Sequence, residues 1–226
     1  MTPIDRPLAL GELLARTAEI YGRRIWAALA LGSFLAAMIL GASAAPEWAG
    51  LTVVAFGFTA CYAVSARLIA GDAFGEAFAQ AAFRFPVLVV LTIVVSVPLA
   101  LALANVLMLL FVVAWIALTG FSIPVAMLER NPDSQGFFAP MGHAMTRAIA
   151  LARVEYLHAA GVVASLAVIY VFIGNVLASA LVGFAEAGSF GAFLLVQMVL
   201  APFFFLGLGV LYFEQKARAL SSRSHE

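Results

Sequence analysis

Runs of apolar residues about 20 long, the length of a helix crossing the hydrocarbon core of a bilayer, recur along the chain between short polar corners. Ile25 to Ala45 is the first and Leu51 to Ile69 the second, divided by Pro46, Glu47 and Trp48. Pro86 to Leu128 is 43 residues without a charge, about twice a bilayer's thickness in helix, and is expected to fold back once. The turn is placed near Asn105, giving spans 87–104 and 106–128, with Pro98 expected to kink the third. Spans five and six are Ala159 to Val182 and Ala192 to Leu211, with Glu186 and Gly188 in the corner between them. The pattern predicts an all-α integral membrane protein of six transmembrane helices in a single membrane domain over residues 1–226.

The polar segments before spans one, three and five carry helical periodicity. In the first, Glu12, Arg16, Glu19 and Arg23 mark one face, with Leu10, Leu14, Ala18 and Tyr21 on another. In the second, Asp72, Glu76, Gln80 and Arg84 form the polar stripe, with Phe74, Phe78, Ala81 and Phe85 opposite. In the third, Met141, Met145, Ile149, Ala152 and Tyr156 form the apolar stripe. All three are expected to be amphipathic helices lying along the cytoplasmic membrane surface. The chain then reads as a pseudo-threefold repeat of surface helix, span, span, with units near 7–70, 71–128 and 140–212 and a cytoplasmic tail at 213–226.

Charge fixes the orientation. All twelve basic residues fall on one side of this layout: four before span one, two around the loop after span two, three after span four and three after span six. The opposite corners carry none, so the positive-inside rule places both termini in the cytoplasm, which requires an even number of spans. Ala42-Ser43-Ala44 followed by Ala45-Pro46 resembles a signal-peptide cleavage site, but the leader is long and patterned and the apolar run exceeds that of a signal peptide, so a retained helix is expected.

Composition agrees: 65% of residues are hydrophobic, 11% are charged and the mean hydropathy is +1.07, too little polar surface for a water-facing domain of this size. Net charge is zero, which argues against a nucleic-acid partner. The single cysteine, Cys61, lies in an apolar run and forms no disulfide framework. The abundance of Ala, and of Arg over Lys, suggests a GC-rich bacterial source, and hence an inner membrane.

Three cytoplasmic motifs resemble those of the glycerophosphoryl diester phosphodiesterase membrane-domain family. They are Arg6-Pro7-Leu8 through Gly11-Glu12-Leu13-Leu14 followed by Tyr21, Pro124-Val125-Ala126-Met127-Leu128-Glu129, and Leu211-Tyr212-Phe213-Glu214 with Arg218. Arg147 through His158 resembles the family's Arg-Ser-Trp helix, with Ala148 and Ile149 in place of Ser and Trp, and Glu214 stands where the family usually has Asp. The resemblance implies a stand-alone membrane module. The phosphodiesterase chemistry of fused relatives belongs to a separate barrel of about 250 residues, which the 30 residues from Glu129 to His158 cannot hold.

No motif for zinc, phosphate or a catalytic serine is present, so neither enzymatic activity, cofactor nor metal is expected. His143 and His158, read as sharing one helix, are too far apart to share a metal. Glu129 and Glu214 end spans four and six. Two carboxylates near low-dielectric lipid repel, so Arg147 is expected to join them at the cytoplasmic mouth of the bundle, anchoring helix ends or holding a lipid phosphate. Ala28, Gly32 and Ala36 recur every four residues in span one, as do Gly57, Cys61 and Ser65 in span two, and the two stripes are expected to pack together. Asn175 and Gln197 are expected to be buried and hydrogen-bonded between helices. The function these features point to is a non-catalytic membrane interaction or lipid-organising module. Its partners would be the bilayer, phospholipid headgroups or another membrane protein. The alternative is a small-molecule or lipid carrier, or the membrane component of a larger transporter; no charge at mid-span marks an ion-coupled path.

Overall fold

A computed structural model describes residues 6–102, 108–129, 139–182 and 188–223, and every regular element among them is a helix. The turn expected near Asn105, with Arg130, Asp133 and Glu186, lies outside the described residues. In chain order the helices are α1 (Leu10–Arg23), α2 (Ile25–Ser43), α3 (Glu47–Ala70), α4 (Phe74–Phe83), α5 (Phe85–Ala102), α6 (Met108–Thr119) and α7 (Ser122–Leu128). They continue with α8 (Ala139–Ala152), α9 (Tyr156–Val168), a π-helical turn Ile169–Ile173, α10 (Gly174–Val182) and α11 (Gly188–Arg223). Five stretches, α2, α3, α6–α7, α9–α10 and α11, are long and apolar enough to cross a bilayer, and α4–α5 makes a sixth if that bent pair is one span.

Prolines and glycines set the breaks. Gly71, at φ 113°, closes α3: its N–H bonds the Leu68 carbonyl (3.1 Å) and the next N–H, of Asp72, bonds the Arg67 carbonyl (3.2 Å), a turn that needs the left-handed region glycine occupies freely. Pro86, second in α5, cannot supply the N–H that would continue α4, and the axis bends by 81°. Gly120 and Phe121 separate α6 from α7 just ahead of Pro124. Pro140 is the second residue of α8, where a missing N–H costs nothing.

The three short helices bury faces that coincide only in part with the expected apolar stripes, sharing Ala81 in α4 and Met141 and Ala152 in α8. Helix α1 turns Leu13, Thr17 and Ile20 inward, α4 turns Ala77 and Ala81, and α8 turns Met141, Ala144, Ala148, Leu151 and Ala152. In α4 and α8 alanines make the closest approach and larger side chains flank them, because small residues bring helix backbones together where lipid is the alternative solvent. Nor does α4 lie across the end of α3. It runs back along it, with Phe78 against Phe34 of α2 (ring centroids 5.7 Å apart), and leads to Phe85, the first residue of α5, which packs on Phe56 of α3 (5.4 Å).

Helix α11 is the axis of the molecule, packing on α1, α2, α3, α8, α9 and α10. Leu206, Val210, Leu211, Tyr212, Glu214 and Gln215 are at most 1% exposed, so this stretch is enclosed on all sides. At 36 residues it is about 54 Å long, well beyond a hydrocarbon core of about 30 Å. The segment read as a tail from 213 therefore continues the helix as far as Arg223. Phe172 on the π turn and Val176 on α10 are exposed and give the outside of the bundle an apolar surface there.

The two small-residue stripes do not mesh with each other throughout. Ala28, Gly32 and Ala36 are buried, but Gly32 faces α11: a methyl group on it would lie 1.9 Å from the carbonyl oxygen of Met198. Pro202, inside α11, has no N–H to bond that oxygen in the usual i to i−4 manner. The freed carbonyl instead rests against the bare backbone of Gly32. In the other stripe, Gly57 and Cys61 do pack on α2, Gly57 beside Leu35 and Met38 and the Cys61 Sγ 3.6 Å from the Leu31 carbonyl; Ser65 is fully buried.

Candidate functional site

Charged and polar side chains gather where α1, α7, α8, α9 and α11 come together, around the two interleaved i, i+4 pairs of α11, Tyr212 with Lys216 and Glu214 with Arg218. Two residues along a helix is about 200° of rotation, so the pairs occupy opposite faces. Each face holds one carboxylate.

On the first face Glu129, extended in backbone (φ −97°, ψ 137°) as it ends α7, is bound from two helices. Arg147 of α8 donates from Nε to its Oε2 at 3.1 Å, while Oε1 takes the Tyr212 hydroxyl at 2.9 Å and the Lys216 ammonium at 3.1 Å. Lys216 also lies 5.8 Å above the Tyr212 ring. Partial burial pushes the Glu129 carboxyl up, but the hydrogen bonds from Tyr212 and Lys216 and the charges of Lys216 and Arg147 outweigh this and hold it below the ordinary glutamate value.

On the second face Glu214 is fully buried. It pairs with Arg218, accepts Gln215 Nε2 at 3.1 Å and the Leu8 N–H at 3.4 Å, and has His158 Nε2 at 3.7 Å. Arg218 extends the network to Glu155 and, at 3.1 Å, to the Leu8 carbonyl. The Glu214–Arg218 pair thus grips both backbone groups of one residue in the extended segment before α1, 206 positions away from Glu214 in sequence. That segment is further tied by Glu12, which accepts the Ala9 N–H (3.2 Å) and Arg6 (3.1 Å), as in the reciprocal half of a capping box.

The structure therefore brings Arg147 to Glu129 and gives Glu214 a separate set of partners, with α11 standing between the two carboxylates. Tyr212, Glu155 and the Leu8 backbone are members that sequence reasoning did not assign. The i, i+4 spacing of Tyr212 and Lys216 was a usable signal for the first; a backbone contact has no side-chain signature to read. His158 belongs to α9, beyond a break at Arg153 to Glu155, and not to the helix of His143. Among the described residues no cluster of three His, Cys, Asp or Glu side chains has metal-binding geometry. Gln197 is buried and accepts the Tyr170 hydroxyl. Asn175 is exposed, with its amide on the Val171 carbonyl at 2.7 Å, one helical turn back, where the π turn disturbs the regular ladder.

The depressed Glu129 value has a consequence for stability. A carboxylate whose pKa is lower folded than unfolded contributes stability fully above the unfolded value, near 4.3, and loses it as pH falls through the folded value. Glu12 and Glu19, lowered by Ala9 with Arg6 and by Arg16 with Arg23 respectively, titrate in the same direction. Thermal unfolding in detergent is expected to show a Glu129→Gln penalty at pH 7 that shrinks as pH falls below about 4. A penalty that is constant with pH would remove the ionic role of Glu129.

Comparison with protein-family models, with curated proteins and with solved structures gave no match to this chain.

Proposed function

We propose that the chain is a six-span protein of a bacterial inner membrane, with both termini cytoplasmic, acting as a non-catalytic module that organises lipids or holds a membrane partner. The observation that carries this reading is that both carboxylates of the polar face are held by the protein's own groups. Both oxygens of Glu129 are bound from α8 and α11, and those of Glu214 by Arg218 and Gln215 of its own helix and by the Leu8 N–H. A catalytic carboxylate keeps an oxygen facing its substrate; these carboxylates lock α1, α7, α8 and α11 into one unit. Resemblance to the glycerophosphoryl diester phosphodiesterase membrane-domain family, as a stand-alone relative without the barrel, is part of the same proposal.

Three further observations support it. Exposed Trp26 and Trp48 stand near opposite ends of the α2–α3 hairpin, where aromatic belts mark the two interfaces of a bilayer. The order short helix, break, span, span occurs three times, with Arg24, Arg84 and Arg153 at the breaks. In the first two units the break arginine bonds a carbonyl at the exit of that unit's second span, Arg24 to Asp72 (2.6 Å) and Arg84 to Ala126. An acid, Asp72, Glu129 or Glu214, stands at each such exit. This shared device favours a repeat over a chance succession of spans. In this reading the sixth span is α5, with α4 as the short helix that leads into it at the 81° bend.

Reporter fusions test the topology: those at Glu47 and Glu186 are expected to read periplasmic, and those at Asp133 and the C-terminus cytoplasmic. Any exchange rejects the six-span layout. Native mass spectrometry from nanodiscs tests the role, since a stoichiometric lipid or protein partner agrees with the module and a retained polar solute would favour the carrier.

A further inference from the structure

Away from the polar face, a cavity of about 200 Å³ opens where α2, α3, α4 and α5 converge. Phe34, Phe56, Phe78, Phe85, Leu88 and Thr59 are among its walls. The one hydroxyl in that set is already engaged: Thr59 bonds the Ala55 carbonyl at 3.0 Å and receives Thr92 of α5. The cavity is thus apolar, and its walls come from both sides of the 81° turn between α4 and α5. An apolar cavity of about 150 Å³ accepts benzene; on that scale this one takes a chain segment of about eight carbons. Its corner is exposed and aromatic, with Phe83 88% and Phe85 50% exposed.

Arg84 stands in that corner, in sequence between the wall residues Ala82 and Phe85. Its Nη1 bonds the Ala126 carbonyl, and no carboxylate pairs with it among the described residues, whereas Arg67, Arg147 and Arg218 each have one. A carbonyl takes one donor of a five-donor fork and leaves the charge uncompensated. An arginine without a carboxylate partner, set in the segment 81–88 that supplies one wall of an apolar, chain-sized cavity, is complementary to an anionic amphiphile: the fork matches phosphate or carboxylate oxygens, and aromatic walls take the tail.

We propose that this corner binds one acyl chain of an anionic amphiphile, a phospholipid or a free fatty acid, with the chain in the cavity and the anionic head on Arg84. The site rests on the membrane placement proposed above, yet it fails or stands separately from topology, because it is read from binding and not from fusions.

The test is native mass spectrometry of delipidated protein given phosphatidylglycerol, phosphatidylcholine or oleate, with thermal melting as the folding control. Wild type is expected to retain one equivalent of an anionic ligand in preference to phosphatidylcholine; phosphatidylglycerol without oleate identifies a phospholipid site, and oleate without phosphatidylglycerol a fatty-acid site. Ala82→Trp, which fills the cavity from its open side, is expected to reduce retention of every ligand. Arg84→Gln is expected to reduce the anionic preference about tenfold and Arg84→Lys to keep most of it. Equal retention of all three ligands by wild type, an Ala82→Trp protein that binds as wild type does, or an Arg84→Gln protein that keeps the preference overturns the proposal. Should either variant melt early, a diazirine fatty acid cross-linked to wild type decides: label within 78–88 supports the site, and label only elsewhere overturns it.

Discussion

Gly32→Ala is expected to destabilise the protein by about 3 kcal/mol or more, the upper range for overpacking a tight core. The added methyl would sit 1.9 Å from the Met198 carbonyl oxygen, 2.5 Å from its carbon and 2.6 Å from its Cα, and backbone atoms cannot rotate away as a side chain can. The helices must separate, and with α2 and α11 sharing the largest contact in the bundle the loss spreads along both. Gly57→Ala is expected to cost less, because its new methyl meets only the Leu35 and Met38 side chains, at 2.9 and 3.3 Å; Gly57→Leu exceeds what those two can yield. A methyl group on Gly41 would meet nothing within 4 Å beyond its own helix turn, so Gly41→Ala is expected to be neutral or stabilising by up to about 1 kcal/mol, from helix propensity alone. Melting temperatures in one detergent compare the series. A Gly32→Ala protein that melts with Gly41→Ala would show that Met198 does not lie against α2.

The long apolar helices were legible because the signal is a count: about 20 apolar residues reach across a bilayer and can do little else. The inward faces of α1, α4 and α8 were not, for a related reason. Hydrophobicity separates core from water, but beside lipid both faces of a helix are apolar, and size and shape decide which packs. Leu14 and Ala18 therefore yield the interior to Leu13 and Thr17, although a hydropathy stripe favours them. Asn175 misled in the same way: a lone amide in an apolar run suggests a partner across the interface, yet a carbonyl one turn back satisfies it in place. Gly32 was legible as a close-contact position but not in its partner, which depends on the carbonyl that Pro202, 170 residues later, leaves free. At the polar face the Glu129–Arg147 pairing follows from charge and depth; the exclusion of Glu214 follows from the 200° between Tyr212 and Glu214 on one helix, a rotation that a reading of span ends as single points cannot contain.

Two carboxylates on opposite faces of α11 are expected to behave as two independent sites of unequal weight. Glu214 is fully enclosed while Arg218 is 17% exposed, so Glu214→Ala strands a guanidinium against the Leu8 carbonyl with only the half-exposed Glu155 to balance it. A loss of about 3 to 5 kcal/mol is expected, as for a broken buried pair. At the other face Arg147 and Glu129 are 29% and 14% exposed, and Lys216 and Tyr212 stay on the carboxylate when Arg147 is removed. Arg147→Ala is therefore expected to cost about 1 to 2 kcal/mol, between the surface and buried limits. Arg147→Glu should be worse, placing a second carboxylate beside Glu129, and should be partly restored by Glu129→Arg. Glu214→Arg should restore nothing, because Arg147 is bound to the opposite side of the helix. The two faces share no partner, so the Glu129→Ala and Glu214→Ala penalties are expected to add within about 0.5 kcal/mol. A coupling above about 1 kcal/mol, or rescue of Arg147→Glu by Glu214→Arg, would join the carboxylates into one site and reopen it to a ligand shared between them.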